Sequence, residues 1–224
     1  MKKIIFGAAL ALVFIFTSAG IAFGDREILR PKDIPEEAIP AEQMPKIELP
    51  KFVEGERWEF TATTKQGAAK TSDILEGEFE AVYKAGELEV FEVINSEKTT
   101  PTQPSSAARI KRLILPDYIG YLVFPLQVSW EATYPVNPPG ARRTYTRTVN
   151  YKVVAVKKGV VTIRGEGLIG SSSVAEWIYR YDPGEKCVVE SYGDQLVGGG
   201  GVKTEAKLKK HTLPPVPGGV VLIR

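Results

Sequence analysis

Two stretches half a chain apart open in the same way, and they constrain the fold more than anything else in the sequence. They are Phe52-Val-Glu-Gly-Glu-Arg-Trp58-Glu-Phe60 and Phe124-Pro-Leu-Gln-Val-Ser-Trp130-Glu-Ala-Thr-Tyr134. In each, an aromatic residue precedes a Trp-Glu pair by six positions, and side chains then alternate as in a half-buried strand. The parallel continues to Tyr83-Lys-Ala-Gly86 and Val156-Lys-Lys-Gly159, which lie 28 and 29 residues beyond Trp58 and Trp130 and each lead into a β-rich run. Such spacing predicts a duplicated β-meander. Turn signals every eight to twelve residues extend the prediction to the whole chain. The expected fold is all-β, with antiparallel meanders in two similar halves forming an open barrel or sandwich.

The strands are expected as follows. In the first half, Trp58, Phe60 and Ala62 share a face, Lys65-Gln-Gly67 turns, and Leu75 to Tyr83 line the next strand. Leu88 and Val90 then face opposite to Phe91 and Val93, which suggests a β-bulge. Asn95 to Ser106 reads as a mobile loop, and Arg109 to Leu115 as a closing strand. In the second half, Val128, Trp130, Ala132 and Tyr134 share a face, and Tyr145, Val149, Tyr151, Val153 and Ala155 alternate along a long strand. Ala175, Trp177, Tyr179 and Tyr181 follow, then the Asp182-Pro-Gly184 turn and a strand to Tyr192. The Gly198 to Gly201 run reads as a hairpin or bulge ahead of a last strand, since no Lys-Ser/Thr ending or helix follows it as a phosphate loop requires.

These halves are expected at residues 52–123 and 124–211. Before them, residues 1–24 run from Lys2 and Lys3 through an uncharged apolar stretch to the small-x-small triplet Ala22-Phe23-Gly24, the order of a secretory signal peptide. Cleavage after Gly24 predicts a periplasmic or extracellular protein; retention would make the segment a membrane anchor. Residues 25–51 carry five prolines among apolar side chains and should form an extended strap lying partly on the domain. Residues 212–224 are an apolar tail broken by Pro and Gly.

Composition narrows the function. Without residues 1–24 the chain has 27 basic and 27 acidic side chains, so nucleic acid, which rewards a basic excess, is not an expected partner. A single Cys187 excludes an internal disulfide and reads as a small buried hydrophobe. His211, the one histidine, reads as a surface residue and excludes a multi-histidine metal site. No catalytic residue, metal or cofactor is predicted. Lys203, Lys207 and Lys209 alternate on one face, suited either to an anionic head group or to protecting an edge strand.

The aromatic strand faces carry the functional expectation. Trp58, Phe60, Trp130, Tyr134, Trp177 and Tyr179 either pack as core or line a cavity for an apolar, lipid-like ligand. The sequence therefore points to an exported, non-enzymatic domain that binds an apolar small molecule or a cell-envelope protein. A carboxylate-based hydrolase and a purely structural envelope module are the alternatives.

Gly55-Glu-Arg-Trp58-Glu-Phe60, Phe124-Pro-Leu126 and Trp177-Ile-Tyr179-Arg-Tyr-Asp182-Pro-Gly184 together resemble motifs in a group of exported bacterial proteins of unknown function. Their meanders open with Phe-Pro-Leu and Gly-x-x-Trp-x-Tyr and close on a Tyr-Asp-Pro turn. The resemblance covers about residues 50 to 192; the second copy departs from it with Gln127 in place of the Gly. It implies a cell-envelope β-domain and supplies no catalytic residues. In architecture alone, the chain is similar to curved-sheet carriers of lipids and lipoproteins.

Overall fold

The computed structural model describes residues 32, 34–68, 71–101, 104–115, 122–136, 145–169, 172–197 and 200–215. Its strands are β1 (Arg57–Ala68), β2 (Thr71–Lys84), β3 (Glu87–Ile94), β4 (Glu97–Thr99), β5 (Ser129–Val136), β6 (Tyr145–Lys157), β7 (Val160–Ile169), β8 (Ser172–Asp182), β9 (Cys187–Val197) and β10 (Gly200–Thr212). One helix, α1 (Pro104–Ile114), interrupts them. The expected signal segment lies outside the described residues, as do residues 216–224 of the tail. No helix among the described residues is long and apolar enough to cross a membrane.

All ten strands form one open antiparallel sheet in the order β4-β3-β2-β1-β10-β9-β8-β7-β6-β5. Adjacent strands are chain neighbours except at one seam, where β1 meets β10 and joins the two meanders, and β4 and β5 form the opposite edges. The parallel between the halves is local and concrete. The β2–β3 and β6–β7 hairpins turn through Ala85-Gly86 and Lys158-Gly159, with φ of 53° and 86° in the first and 52° and 82° in the second. Positive φ at both central residues is what a type I′ turn needs to match strand twist, and Gly supplies the second position without a Cβ clash.

Five expectations need correction, four of them in the first half. The β2–β3 register runs from Lys84↔Glu87 to Glu78↔Val93 without a shift, so there is no bulge in β3. Phe91 and Val93 are instead half-buried on the outer face. Asn95 to Ser106 is no continuous loop: Asn95-Ser96 is another positive-φ turn, β4 follows, and α1 begins at Pro104. Arg109 to Ile114 belongs to that helix, whose Ile110, Leu113 and Ile114 are buried at helical spacing. Lys65-Gln-Gly67 lies inside β1, and Phe124 to Leu126 packs as irregular chain.

Each strand alternates between an inner face, on which α1 packs against β2, β3 and β9, and an outer face. Trp58, Phe60, Ile163, Tyr181, Val153 and Leu208 anchor the inner core. Bulges occur where the sheet bends, adding Val154 to β6 and Val189 to β9 relative to their partners. The described part of the proline-rich segment touches the sheet edge. Ile39 donates its N–H to the Val153 carbonyl, Ile47 accepts from Leu126, and Ile47 is buried. Val128 also bonds Val153, so chain from both sides completes the edge of β6 where β5 has not yet begun.

Candidate functional site

Chemistry-bearing side chains gather at two places on the inner side of the sheet. The first is the end of the seam. Glu56, just ahead of β1, is fully buried. Its Oε2 accepts from the Val53 N–H at 2.9 Å and from Lys186 Nζ at 3.1 Å. Its Oε1 lies 2.9 Å from Lys186 Nζ and 2.7 Å from His211 Nε2. His211 Nδ1 in turn lies 2.9 Å from Glu185 Oε2. Both ring nitrogens of His211 are thus taken up by carboxylate oxygens.

The surroundings of His211 lock it further. The Trp58 ring stacks on it with centroids 5.0 Å apart, and Trp58 Nε1 donates to the Glu185 carbonyl. Lys186 donates to the Lys51 carbonyl as well. Asp182 Oδ1 accepts from Gly184 N–H, shaping the β8–β9 turn that carries Glu185 and Lys186. His211 is thus a buried member of an ion network, not the surface residue its flanking lysines suggest. Beside it Cys187 is fully buried, and burial, followed by the charges of Glu185, Asp182 and Glu56, pushes its thiol well above the ordinary range. An inert thiol and a histidine with both nitrogens occupied make a latch across the seam, fixing the β8–β9 turn to both of the strands that meet there.

The second place is the half of the inner face built by β5 to β9. Hydrogen-bonded register sets Trp130, Tyr151, Gly165, Trp177 and Gly193 in one row across five strands. Here rings and glycines take turns. A Cβ on Gly165 would stand 2.6 Å from the Tyr151 ring, and one on Gly167 or Gly193 would stand 2.8 Å from Trp177. Bare backbone therefore lets both rings lie flat on the sheet. Trp130 stacks on Tyr151 at 5.3 Å and is half-buried, and Tyr179 follows at 6.4 Å from Tyr151. A shallow groove of about 370 Å³ lies on the opposite, outer face of the same strands, lined by Ser129, Glu131, Asn150, Lys152 and Glu166.

The predicted binding residues accordingly divide. Trp58 and Phe60 lie at the seam, fully buried in the core. Trp130, Trp177 and Tyr179 come together on the β5–β8 side, where Trp177 and Tyr179 are also buried in the core and Trp130 is half-buried against it. Tyr134 pairs with Arg147 through the backbone, and its side chain lies outside the described residues. Lys203, Lys207 and Lys209 belong to β10, an interior strand, so they guard no edge. Lys203 and Lys209 pair on the outer face with Asp194 and Glu78.

One residue on the aromatic side was not expected. Arg147 shares the face of Val149 and Tyr151, is 6 % exposed, and holds its guanidinium carbon 5.7 Å from the centre of the Trp177 ring. Its Nη1 donates to Gln195 Oε1 at 3.0 Å, and its buried Nε has no partner. Buried arginines elsewhere in the sheet meet carboxylates: Arg164 contacts Glu176 and Glu166 on the outer face. Burial lifts the Glu176 carboxyl above its usual range, with Arg164 opposing.

No known protein family, no curated protein and no solved structure matches this chain. No group of three or more metal-ligating side chains occurs among the described residues.

Proposed function

We propose that this chain is an exported, non-enzymatic binding domain that holds an apolar, lipid-like ligand against the β5–β9 half of its inner face. The observation that supports this most is the row in which Tyr151 and Trp177 lie flat on glycine backbone, with the half-buried Trp130 at its end. Such rings have little side-chain entropy to lose on binding, and Trp130 is the half-buried way in to Tyr151 and Trp177, which are 3 % and 7 % exposed. The seam end supports the same reading by contrast, since its ionisable groups are spent on one another. Export rests on the signal-like segment, and mass spectrometry of the mature protein should find Asp25 at its start.

The test is a titration with N-phenyl-1-naphthylamine, a neutral apolar fluorophore. Saturable binding, competed by dodecanol and weakened in Gly165→Val, is the expected result, because the added side chain lifts Tyr151 off the sheet. A wild-type protein with no saturable uptake would overturn the reading and leave an envelope protein as the partner to pursue.

A further inference from the structure

Arg147 has a charge that the described structure does not balance. Arginine stays protonated throughout the physiological range, so burial does not neutralise it as it can a lysine. A buried cation without a counter-charge is costly, and folded proteins answer that cost with a paired anion. Here the answers within the chain are partial. Gln195 supplies one neutral acceptor to Nη1, and the Trp177 face supplies a cation–π contact. No carboxylate among the described residues reaches the guanidinium. Asp194, the nearest acid in sequence to Gln195, is engaged on the outer face with Lys203 and Tyr192.

With Nη1 committed to Gln195 and the buried Nε without a partner, the open edge of the guanidinium is the one that carries Nε. That edge is the fork that accepts a carboxylate or phosphate through two parallel hydrogen bonds. Its location matters as much as its chemistry. Arg147 lies two residues along β6 from Val149 and four from Tyr151, on the same face as the aromatic row and directly over Trp177. An apolar chain on those rings would place its head group at the guanidinium.

We propose that Arg147 is the head-group site for an anionic single-chain amphiphile, one bearing a carboxylate or a phosphate. The proposal rests on the apolar-ligand reading above and adds the sign and the position of the polar end.

The experiment compares ligands of one chain length on the full-length protein: dodecanoate, dodecyl phosphate, dodecanol and dodecyltrimethylammonium, each displacing N-phenyl-1-naphthylamine below its micelle concentration, with inorganic phosphate as a further competitor. A charge-assisted bidentate pair predicts that the two anions bind about tenfold or more tighter than dodecanol. The cation should bind more weakly than dodecanol. In Arg147→Gln the anion preference should fall to within about twofold, while Lys209→Met, which removes the same charge from the outer face, should keep it. The wild-type comparison stands by itself should Arg147→Gln fail to fold. Equal affinity of wild type for dodecanoate and dodecanol overturns the head-group assignment while leaving the apolar site intact. Inorganic phosphate competing as well as dodecyl phosphate overturns the amphiphile in favour of a free anion. Failure of every ligand, the neutral fluorophore included, removes the apolar reading and this inference with it.

Discussion

At the seam, Glu56 is completely buried and meets three donor groups, from Val53, Lys186 and His211. Across the sheet Arg147 is almost as deeply buried and meets one acceptor and one ring. Both side chains lie on inner-side surfaces of the same sheet, so the difference is not one of exposure. It is one of completion. A network whose donors and acceptors are all matched stabilises a single geometry, whereas a buried charge with an open edge keeps interaction energy available to something outside the chain. The seam's polar groups are spent on one another, while the β5–β9 half holds the open edge of Arg147.

The sharpest ways to break that contrast begin at the latch. Trp58→Ala removes a fully buried ring, its stack on His211 and its bond to Glu185, and should cost about 3–5 kcal/mol in urea unfolding. Glu56→Gln keeps the shape but leaves Lys186 and His211 facing a neutral amide, a loss of about 1.5–3 kcal/mol. The same variant should speed labelling of Cys187 by a thiol reagent, which in the wild type should proceed only as fast as the closed end opens, since the thiol is buried beside Lys186.

On the opposite side the expected effects are smaller, and one differs in sign. Arg147→Met removes an incompletely paired charge and fills its space with apolar atoms, so thermal unfolding in the absence of ligand should show stability unchanged or raised, by up to about 1 kcal/mol. A loss as large as that of Glu56→Gln would mean that Arg147 is structural too. Smallest of all is Lys209→Ala. Its outer-face pair with Glu78 is about half exposed on both sides and should contribute less than about 1 kcal/mol.

Much of the strand order was legible because alternation and two-residue turns are local. Lys84-Ala-Gly86 and Lys157-Lys-Gly159 mark the matching hairpins in plain sight, and the prolines of residues 31–50 mark the strap. Helix α1 was not legible in the same way: Ile110, Leu113, Ile114 and Leu115 form an apolar cluster too short to separate a strand from a helix by periodicity. Pro104 at its first turn and the basic Lys111 and Arg112 in its last were the signals that favoured a helix. The latch depends on the β1–β10 pairing, which sets Trp58 opposite His211 across most of the chain. No local pattern carries such a register. Arg147, by contrast, left a trace. It occupies an inward position in the series Tyr145, Arg147, Val149, Tyr151, Val153, where a charged residue breaks an otherwise apolar alternation.

The three tryptophans offer the most direct test of the account, because Trp58 lies in the latch while Trp130 and Trp177 lie in the aromatic row. In a ¹⁵N-labelled sample their indole N–H groups give three resonances, assignable by single Trp→Phe substitutions. On titration with dodecanoate, the account predicts that the Trp177 resonance shifts in a saturable manner, Trp130 with it, while Trp58, donating to the Glu185 carbonyl inside the closed network, stays in place. A shift at Trp58 with Trp177 unmoved would contradict it, locating the ligand at the seam and leaving the β5–β9 face as ordinary core.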